Sequence, residues 1–329
     1  MRVVITGGAG FIGLRLAKRV LERGRLIDSS GEEREVSKLV LCDVVPLPVA
    51  LPNDERLEFI EGDFGDHEML EKLITSDTAV VFHLAAVVSG GAEEDFDLGM
   101  QVNLHATLCL LEALRALETC PRVVFASSVA VFGGDLPEVI RDDTHLTPQT
   151  SYGGQKAMTE FLLNDYSRRG FLDGRALRLP TIVVRPGKPN KAASSFASSI
   201  IREPLQGHEV VCPVAEDTGV WVLSPRKVVE SFIHAELLEA DAWGTHRAVS
   251  LPGLNTTVRE MIDALREIAG AEVADRIAWQ PDAVIERIVL GWPVRFDTTR
   301  ADGMGFQADS GVREIIEAFI ADELVGGNA

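Results

Sequence analysis

Residues 1–13 read MRVVITGGAGFIG, and this stretch decides the fold. Residues 2–6 form a short apolar strand rich in β-branched side chains. Gly7, Gly10 and Gly13 follow at three-residue spacing, directly before a helical run. The first glycine permits a tight turn, the second lets backbone approach a pyrophosphate, and the third lets the helix lie close on the sheet. Phe11 and Ile12 open that helix, whose first amides have no partner within it and so face an anion. Strand, glycine loop and helix in this order predict a dinucleotide site built from Gly7, Gly10, Phe11, Ile12 and Gly13.

Outward from this unit, strand and helix alternate. The helix runs over 10–22 on Phe11, Leu14, Leu16, Ala17, Val20 and Leu21. A polar loop at 28–38 precedes a strand at 39–43, and a third strand follows at 57–62. A short helix at 68–74 leads to the nearly continuous apolar run 79–86, the pattern of a strand buried on both faces. Helical periodicity over 103–117, a strand at 122–128, a helix at 152–166 and a strand at 174–185 complete the series. The expected fold is α/β, a Rossmann-type doubly wound parallel sheet. After 185 the texture changes, and helices at 227–239, 258–270 and 310–324 alternate with short strands. The expected division is 1–185, mainly nucleotide-binding, and 186–329, mainly a smaller, partly interwoven substrate lobe with segments returning to the first domain.

Composition narrows the partners. Thirty-two Lys and Arg against 50 Asp and Glu leave a net charge of −18. Such a chain is a poor match to nucleic acid or an anionic membrane, both of which demand a basic surface. The four cysteines, Cys42, Cys109, Cys120 and Cys212, lack metal spacing and read as apolar fillers in a reducing compartment. No basic leader precedes a hydrophobic run and no 18-residue apolar span exists, so a soluble cytoplasmic protein is expected.

The reacting groups lie further along. Asp43 ends the second strand, where a carboxylate accepts hydrogen bonds from the adenosine ribose hydroxyls and repels a 2′-phosphate. Val44 and Val45 offer no cation to reverse that, so NAD is expected rather than NADP. Asp63 and Phe64, after the third strand, either border the adenine or form a simple turn. Ser127 and Ser128 close the strand at 122–128, on the carboxyl edge where ligands sit in such sheets. Tyr152 and Lys156 stand one helical turn apart. A phenol near pKa 10 is a weak base at neutral pH, and a neighbouring ammonium stabilises its phenolate. Dinucleotide loop and activated phenol together indicate hydride chemistry on an alcohol or ketone, with Ser128 orienting the substrate hydroxyl. There is no G-x-S-x-G elbow and no zinc spacing among the histidines. His83, inside an apolar strand, reads as a core or cofactor-edge residue rather than a base.

These pieces resemble the extended short-chain dehydrogenase/reductase family. They are TGGAGFIG (6–13), Asp43, HLAA (83–86), Asn103, SSVAVFG (127–133) and YGGQK (152–156), all in the family's order. The resemblance implies Ser128, Tyr152 and Lys156 as catalytic residues. It places Leu84, Ala85 and Asn103 in the cofactor site, and Asn103 also supports the central helix or the water network of Lys156. A homodimer formed through a helix bundle is implied as well. Two departures set the chain apart from sugar-nucleotide dehydratases: Val129-Ala130 stands where an Asp-Glu pair is usual, and Phe132 replaces a tyrosine.

The segment 179–196, LPTIVVRPGKPNKAASSF, also replaces the common N-x-x-G-P pattern. Together with IIREPLQG (200–207), SPR (224–226), LPGLNTTV (251–258) and Gly291-Trp292, it resembles a sugar-acid branch of the family. The implied reaction is oxidation of D-erythronate, or a close aldonate, at C2 to the 2-oxo acid. In that reading Lys188, Asn190 and Lys191 form a local cationic stretch for the substrate carboxylate, with Arg185 and Arg226 as alternative cations. Ser194 and Ser195 are candidate donors to the substrate hydroxyls. The rival readings are a nucleotide-sugar 4-epimerase of the same superfamily and a noncatalytic NAD-sensing protein.

Overall fold

Strand β1 (Arg2–Thr6) lies at the centre of the main sheet because Val3, Val4 and Ile5 offer apolar surface to both faces, and all three are fully buried. Around it stand β2 (Lys38–Asp43), β3 (Leu57–Glu61), β4 (Thr78–His83), β5 (Arg122–Ser128), β6 (Asp173–Leu179) and β7 (Ala248–Ser250). Their spatial order is β7-β6-β5-β4-β1-β2-β3. β1 pairs in parallel with β2 and β4, β2 with β3, and β4 with β5. The order reverses between β1 and β4, which opens a crevice for a ligand at the carboxyl edge. The structure is a computed structural model and describes residues 1–48, 53–187 and 193–325.

The chain divides into two compact units. The first comprises Met1–Val131, Thr150–Arg178 and Val229–Val249, and contains nearly all of this sheet. Helix α1 (Phe11–Arg23) buries Ile12, Leu16, Ala17, Val20 and Leu21 along one stripe. It ends at Gly24, whose left-handed φ of 70° lets its amide bond the Val20 carbonyl. Helix α2 (Thr107–Arg115) buries Leu110, Leu111 and Leu114 in a core with Val4, Val81 and Phe125. Helix α3 (Ser151–Arg168) starts under a cap, the Thr150 hydroxyl accepting from the Gly153 amide at 3.1 Å. The second unit comprises Phe132–Gln149, Leu179–Val228 and Ser250–Ala329. It holds a three-stranded sheet ordered Leu254–Thr257, Gly219–Leu223, Thr181–Ile182. Its core joins Phe196, Val222, Met261 and Ile316.

Four elements differ from the sequence expectation. The polar loop at 28–38 contributes to an antiparallel hairpin, Arg25–Ile27 with Glu33–Glu35. Its one fully buried side chain is Leu26, and Arg25–Glu33 and Arg34–Asp28 ion pairs line its exposed side, so strands this short give hydrophobic periodicity no sign of it. The strand expected over 79–86 stops at His83. The strand expected over 174–185 stops at Leu179, because Pro180 has no amide to donate, and resumes for two residues in the other sheet. The helix expected from 103 begins inside a π-helical turn, Gln101–Ala106, and becomes α-helical at Thr107.

Candidate active site

The glycine loop is a cradle that side chains would fill. Gly7 has a left-handed φ of 71°, and a Cβ there would stand 2.8 Å from the Ala85 nitrogen. A Cβ on Gly13 would stand 2.3 Å from the Gly7 carbonyl oxygen. Ala85 is held beside the loop by its amide, which donates to the Thr6 hydroxyl at 3.3 Å, and Leu84 donates to the Thr6 carbonyl at 3.2 Å. Gly10 begins α1 without a side-chain cap, and the first turn carries no acid, so Phe11, Ile12 and Gly13 present an uncluttered positive helix end. Asp43 accepts from the Ala9 amide at 3.0 Å and the Val45 amide at 3.3 Å, which fixes its carboxylate at the rim of the loop. Asp63 accepts from the Gly65 amide at 2.8 Å. Phe64 is buried with its ring edge-on to His83, centroids 5.3 Å apart. The tight glycine turn, bare helix end and adjoining carboxylate fit the pyrophosphate and ribose of a dinucleotide.

Tyr152 and Lys156 share a stripe of α3. Lys156 is buried, its Nζ 4.5 Å from the Phe125 ring centroid and 5.5 Å from the Tyr152 ring centroid. Burial pulls its pKa down to about 7, against the opposing pull of the Glu160 charge. His83 stacks on the other aromatic neighbour, Phe125, at 5.6 Å between centroids. Its Nδ1 lies 2.6 Å from the Thr6 hydroxyl and its Nε2 lies 2.9 Å from the Thr107 hydroxyl. Thr107 directs its hydroxyl hydrogen to the Asn103 carbonyl at 3.0 Å, so it accepts from Nε2–H and Nδ1 accepts from Thr6. Burial, and then the Lys156 charge, push His83 down to about 3. It is a neutral anchor rather than a base.

Asn103 sits in the π-helical turn and joins three elements. Its side chain accepts from the Val87 amide at 2.8 Å and donates to the Val87 carbonyl at 2.9 Å and to Gln155 on α3 at 2.7 Å. The two serines closing β5 point to opposite faces, as successive strand residues must. Ser128 is half-buried, and its hydroxyl accepts from the Ala130 amide at 3.1 Å. Ser127 is buried and donates to Glu160 at 2.5 Å.

Of the proposed substrate contacts, Lys188, Asn190 and Lys191 lie outside the described residues. Arg185, in the second unit, is fixed along its backbone. Its amide donates to Ser198 at 3.0 Å, and its carbonyl accepts from the buried Arg202 at 2.8 Å. Its Nε donates to the Ile182 carbonyl at 3.2 Å. Arg226 is paired with Asp322 at 2.9 and 2.5 Å. Among the described residues, no cluster of three or more His, Cys, Asp or Glu side chains could hold a metal.

Residues 3–236 match the pattern of the NAD dependent epimerase/dehydratase family. The chain belongs to that family. Its cofactor is NAD. Two relatives match over nearly the full length. A D-erythronate dehydrogenase from Cupriavidus necator is 54% identical over 98% of both chains. Another from Haemophilus influenzae is 47% identical over 97% of this chain and 99% of its own. A solved structure, the nucleoside-diphosphate-sugar epimerase from Agrobacterium tumefaciens, superposes with a TM-score of 0.92 at 45% identity. It covers 99% of this chain and 95% of its own.

On this helix the phenol–ammonium pattern in the sequence ends at Lys156. One further step of four residues reaches Glu160, which the structure surrounds with Ser127 and Arg178. Gln155, inside the YGGQK box, is the Asn103 partner and was likewise not singled out. The four-residue spacing is the available signal for Glu160; Arg178 gives none, and Ser127 is legible only as part of the strand's carboxyl end, because it takes folded strands to bring both to Glu160.

Proposed function

We propose that this chain oxidises D-erythronate at C2 to 2-dehydro-D-erythronate. The protein is an NAD-dependent oxidoreductase. The observation that carries the substrate is identity of 54% and 47% with two D-erythronate dehydrogenases over essentially the whole chain. NAD+ supplies the hydride acceptor when bound. Tyr152, as phenolate, takes the proton of the C2 hydroxyl. The Lys156 ammonium beside its ring stabilises that phenolate, and Ser128 holds the reacting oxygen in line. Gly7, Gly10 and Gly13, with the α1 amides, hold the pyrophosphate. Leu84 and Ala85 border the cofactor, Asp63 and Phe64 lie on the adenine side, and Asn103 braces the support beneath. Asp43 binds the adenosine ribose and disfavours a 2′-phosphate.

The first unit is the NAD-binding part in this reading and carries Ser128, Tyr152 and Lys156, while the carboxylate contacts belong to the second. Lys188, Asn190 and Lys191, with Arg185 shortly before them, bind the carboxylate and so direct oxidation to the adjacent carbon, C2. The backbone bonds of Arg185 to Ser198 and Arg202 support a fixed entry to that segment. The protein works as a homodimer in the cytoplasm. Phe96, Leu98, Leu108, Met158 and Phe161 are all exposed on helices of the first unit, an apolar surface that suits a second copy. Four thiols without a disulfide suit a reducing compartment. No described helix is long and apolar enough to cross a membrane.

The direct test is NADH absorbance with purified protein across four- to six-carbon sugar acids, run beside a nucleotide-sugar epimerisation assay. NADH should accumulate with D-erythronate, and the neutral polyol should be a poor substrate. Interconversion of nucleotide sugars with no NADH released would overturn the assignment in favour of an epimerase.

A further inference from the structure

Tyr152, Lys156 and Glu160 recur every four residues on α3 and therefore line one stripe of it. Glu160 ends this stripe in a place water does not reach, 5% exposed. Its carboxylate is fixed from two strands. From β6, Arg178 Nε donates to its two oxygens at 3.0 and 3.1 Å, and Nη2 donates at 2.8 Å. From β5, the Ser127 hydroxyl donates at 2.5 Å. Arg178 is itself 1% exposed. A buried ion pair of this kind is weak evidence for stability, since apolar side chains of the same volume often hold a fold equally well. Its position suggests a different use.

The groups facing Lys156 can be named element by element within the first unit. β4 contributes His83, which is neutral, and β5 contributes the Phe125 ring and Ser127. Behind His83, the π-helical turn and the first residue of α2 contribute the uncharged Asn103 and Thr107. On α3 itself stand Tyr152 and Glu160, and β6 contributes Arg178, bonded to Glu160. Among these groups Glu160 is the one acid, and its charge acts on Lys156 against the pull of burial. The Ser127 and Arg178 bonds stop that carboxylate from turning away.

We propose that Glu160, clamped by Arg178 and Ser127, is a positioning residue that keeps Lys156 protonated beside Tyr152. The proposal rests on the reading of Tyr152 as base and Lys156 as its cationic partner. Without the clamped carboxylate, Lys156 gives up its proton at lower pH, the Tyr152 phenolate loses its stabilising charge, and oxidation moves to more alkaline conditions.

The chain has two tyrosines, which makes the reacting phenol directly visible. Tyr166, bonded to Glu112, is pushed up to about 12 by burial first and then by that carboxylate. In a Tyr166→Phe background, the near-ultraviolet absorbance of phenolate reports Tyr152 alone, with neither cofactor nor substrate present. Three variants enter that background: Glu160→Gln, Ser127→Ala and Lys156→Met. Glu160→Gln leaves a buried guanidinium without its carboxylate, so the double variant Glu160→Gln/Arg178→Met, which removes both charges, is measured as well. Glu160→Gln and the double variant should each raise the Tyr152 pKa by about one unit. The acid limb of kcat/KM should move by the same amount, a loss of about tenfold below it. Ser127→Ala should produce a smaller shift in the same direction. An unmoved Tyr152 titration in both Glu160 variants, where Lys156→Met does displace it, overturns the role of Glu160 and leaves the Tyr152–Lys156 reading standing. A titration that Lys156→Met also leaves unmoved overturns the Tyr152–Lys156 reading, and this proposal with it. Loss of kcat at every pH with no change in the profile would mark Glu160 as structural and also overturn it.

Discussion

Lys156 carries an amine into a place where the charged form is poorly solvated, and the whole molecule bears that cost. Its pKa is about 7 in the folded protein against 10.5 for the ordinary side chain. Between those values the unfolded chain binds more protons than the folded one, so stability rises with pH across that window. The full cost is present below pH 7. Lys156→Met, an apolar side chain of similar reach, should therefore raise Tm by several degrees at pH 6. The gain should shrink as pH approaches 10, while oxidation is lost throughout. Calorimetric melts from pH 6 to pH 10 measure this, and a variant that melts below wild type at pH 6 would contradict it. At this scale the sequence is most legible where chemistry is local. Tyr152 and Lys156 are read from one helix because their spacing alone places them together. Glu160 obeys the same spacing, but its partners Arg178 and Ser127 are 18 and 33 residues away along the chain, and only folded strands bring them in.

Two glycines on the elements beneath the site should respond in opposite ways. Gly13 packs α1 onto the loop so tightly that any Cβ would meet backbone at 2.3 Å, which cannot swing aside. Gly13→Ala should weaken NAD+ binding by at least about tenfold and lower Tm, as measured by calorimetric titration and thermal melts. Gly154, inside α3, has open space where a Cβ would go. Gly154→Ala should stabilise the protein by about 0.5–1 kcal/mol through helix propensity alone. Equal behaviour of the two variants would show that backbone crowding is not what the loop glycine relieves. Elements with an apolar rhythm were readable from the chain, and the bounds of β1, β2 and β5 match the expectation within a residue. The Arg25–Ile27 and Glu33–Glu35 hairpin was not, because its strands are three residues long, the second is entirely charged, and each apolar residue of the first faces a charged one across the pair. The π-helical turn before α2 was also hidden. One additional residue per turn leaves the apolar pattern of 103–117 almost unchanged, yet it is this turn that carries the Asn103 side chain to Val87 and Gln155.

For the whole molecule, the alternation of strand and helix predicted a parallel doubly wound sheet, and that is the sheet observed. The segmentation of the two units was less legible, because residues 132–149 and 229–249 carry no compositional mark of the unit they join. The apolar helix surface of the first unit leads to a prediction at this scale. Phe161 is 66% exposed on α3, on a stripe with Met158. Phe161→Glu should convert the proposed homodimer to a monomer in light scattering coupled to size exclusion, with little change in Tm measured on the separated monomer. A wild-type protein that is already monomeric at micromolar concentration would refute the assembly.

The interleaving of the two units has a consequence for synthesis. A ribosome delivers β1 to β6 in order, but β7, which covers the outer edge of β6, is made only after residues 179–247 have emerged. Until then the nascent sheet carries an unpaired edge, and an edge of that kind recruits strands from other chains. A fragment ending near residue 185 keeps the whole glycine loop and the Tyr152–Lys156 helix, yet it is left permanently in that unfinished state. The hazard in producing this protein therefore lies in the interval of translation between β6 and β7, which a lower growth temperature or a holding chaperone would bridge.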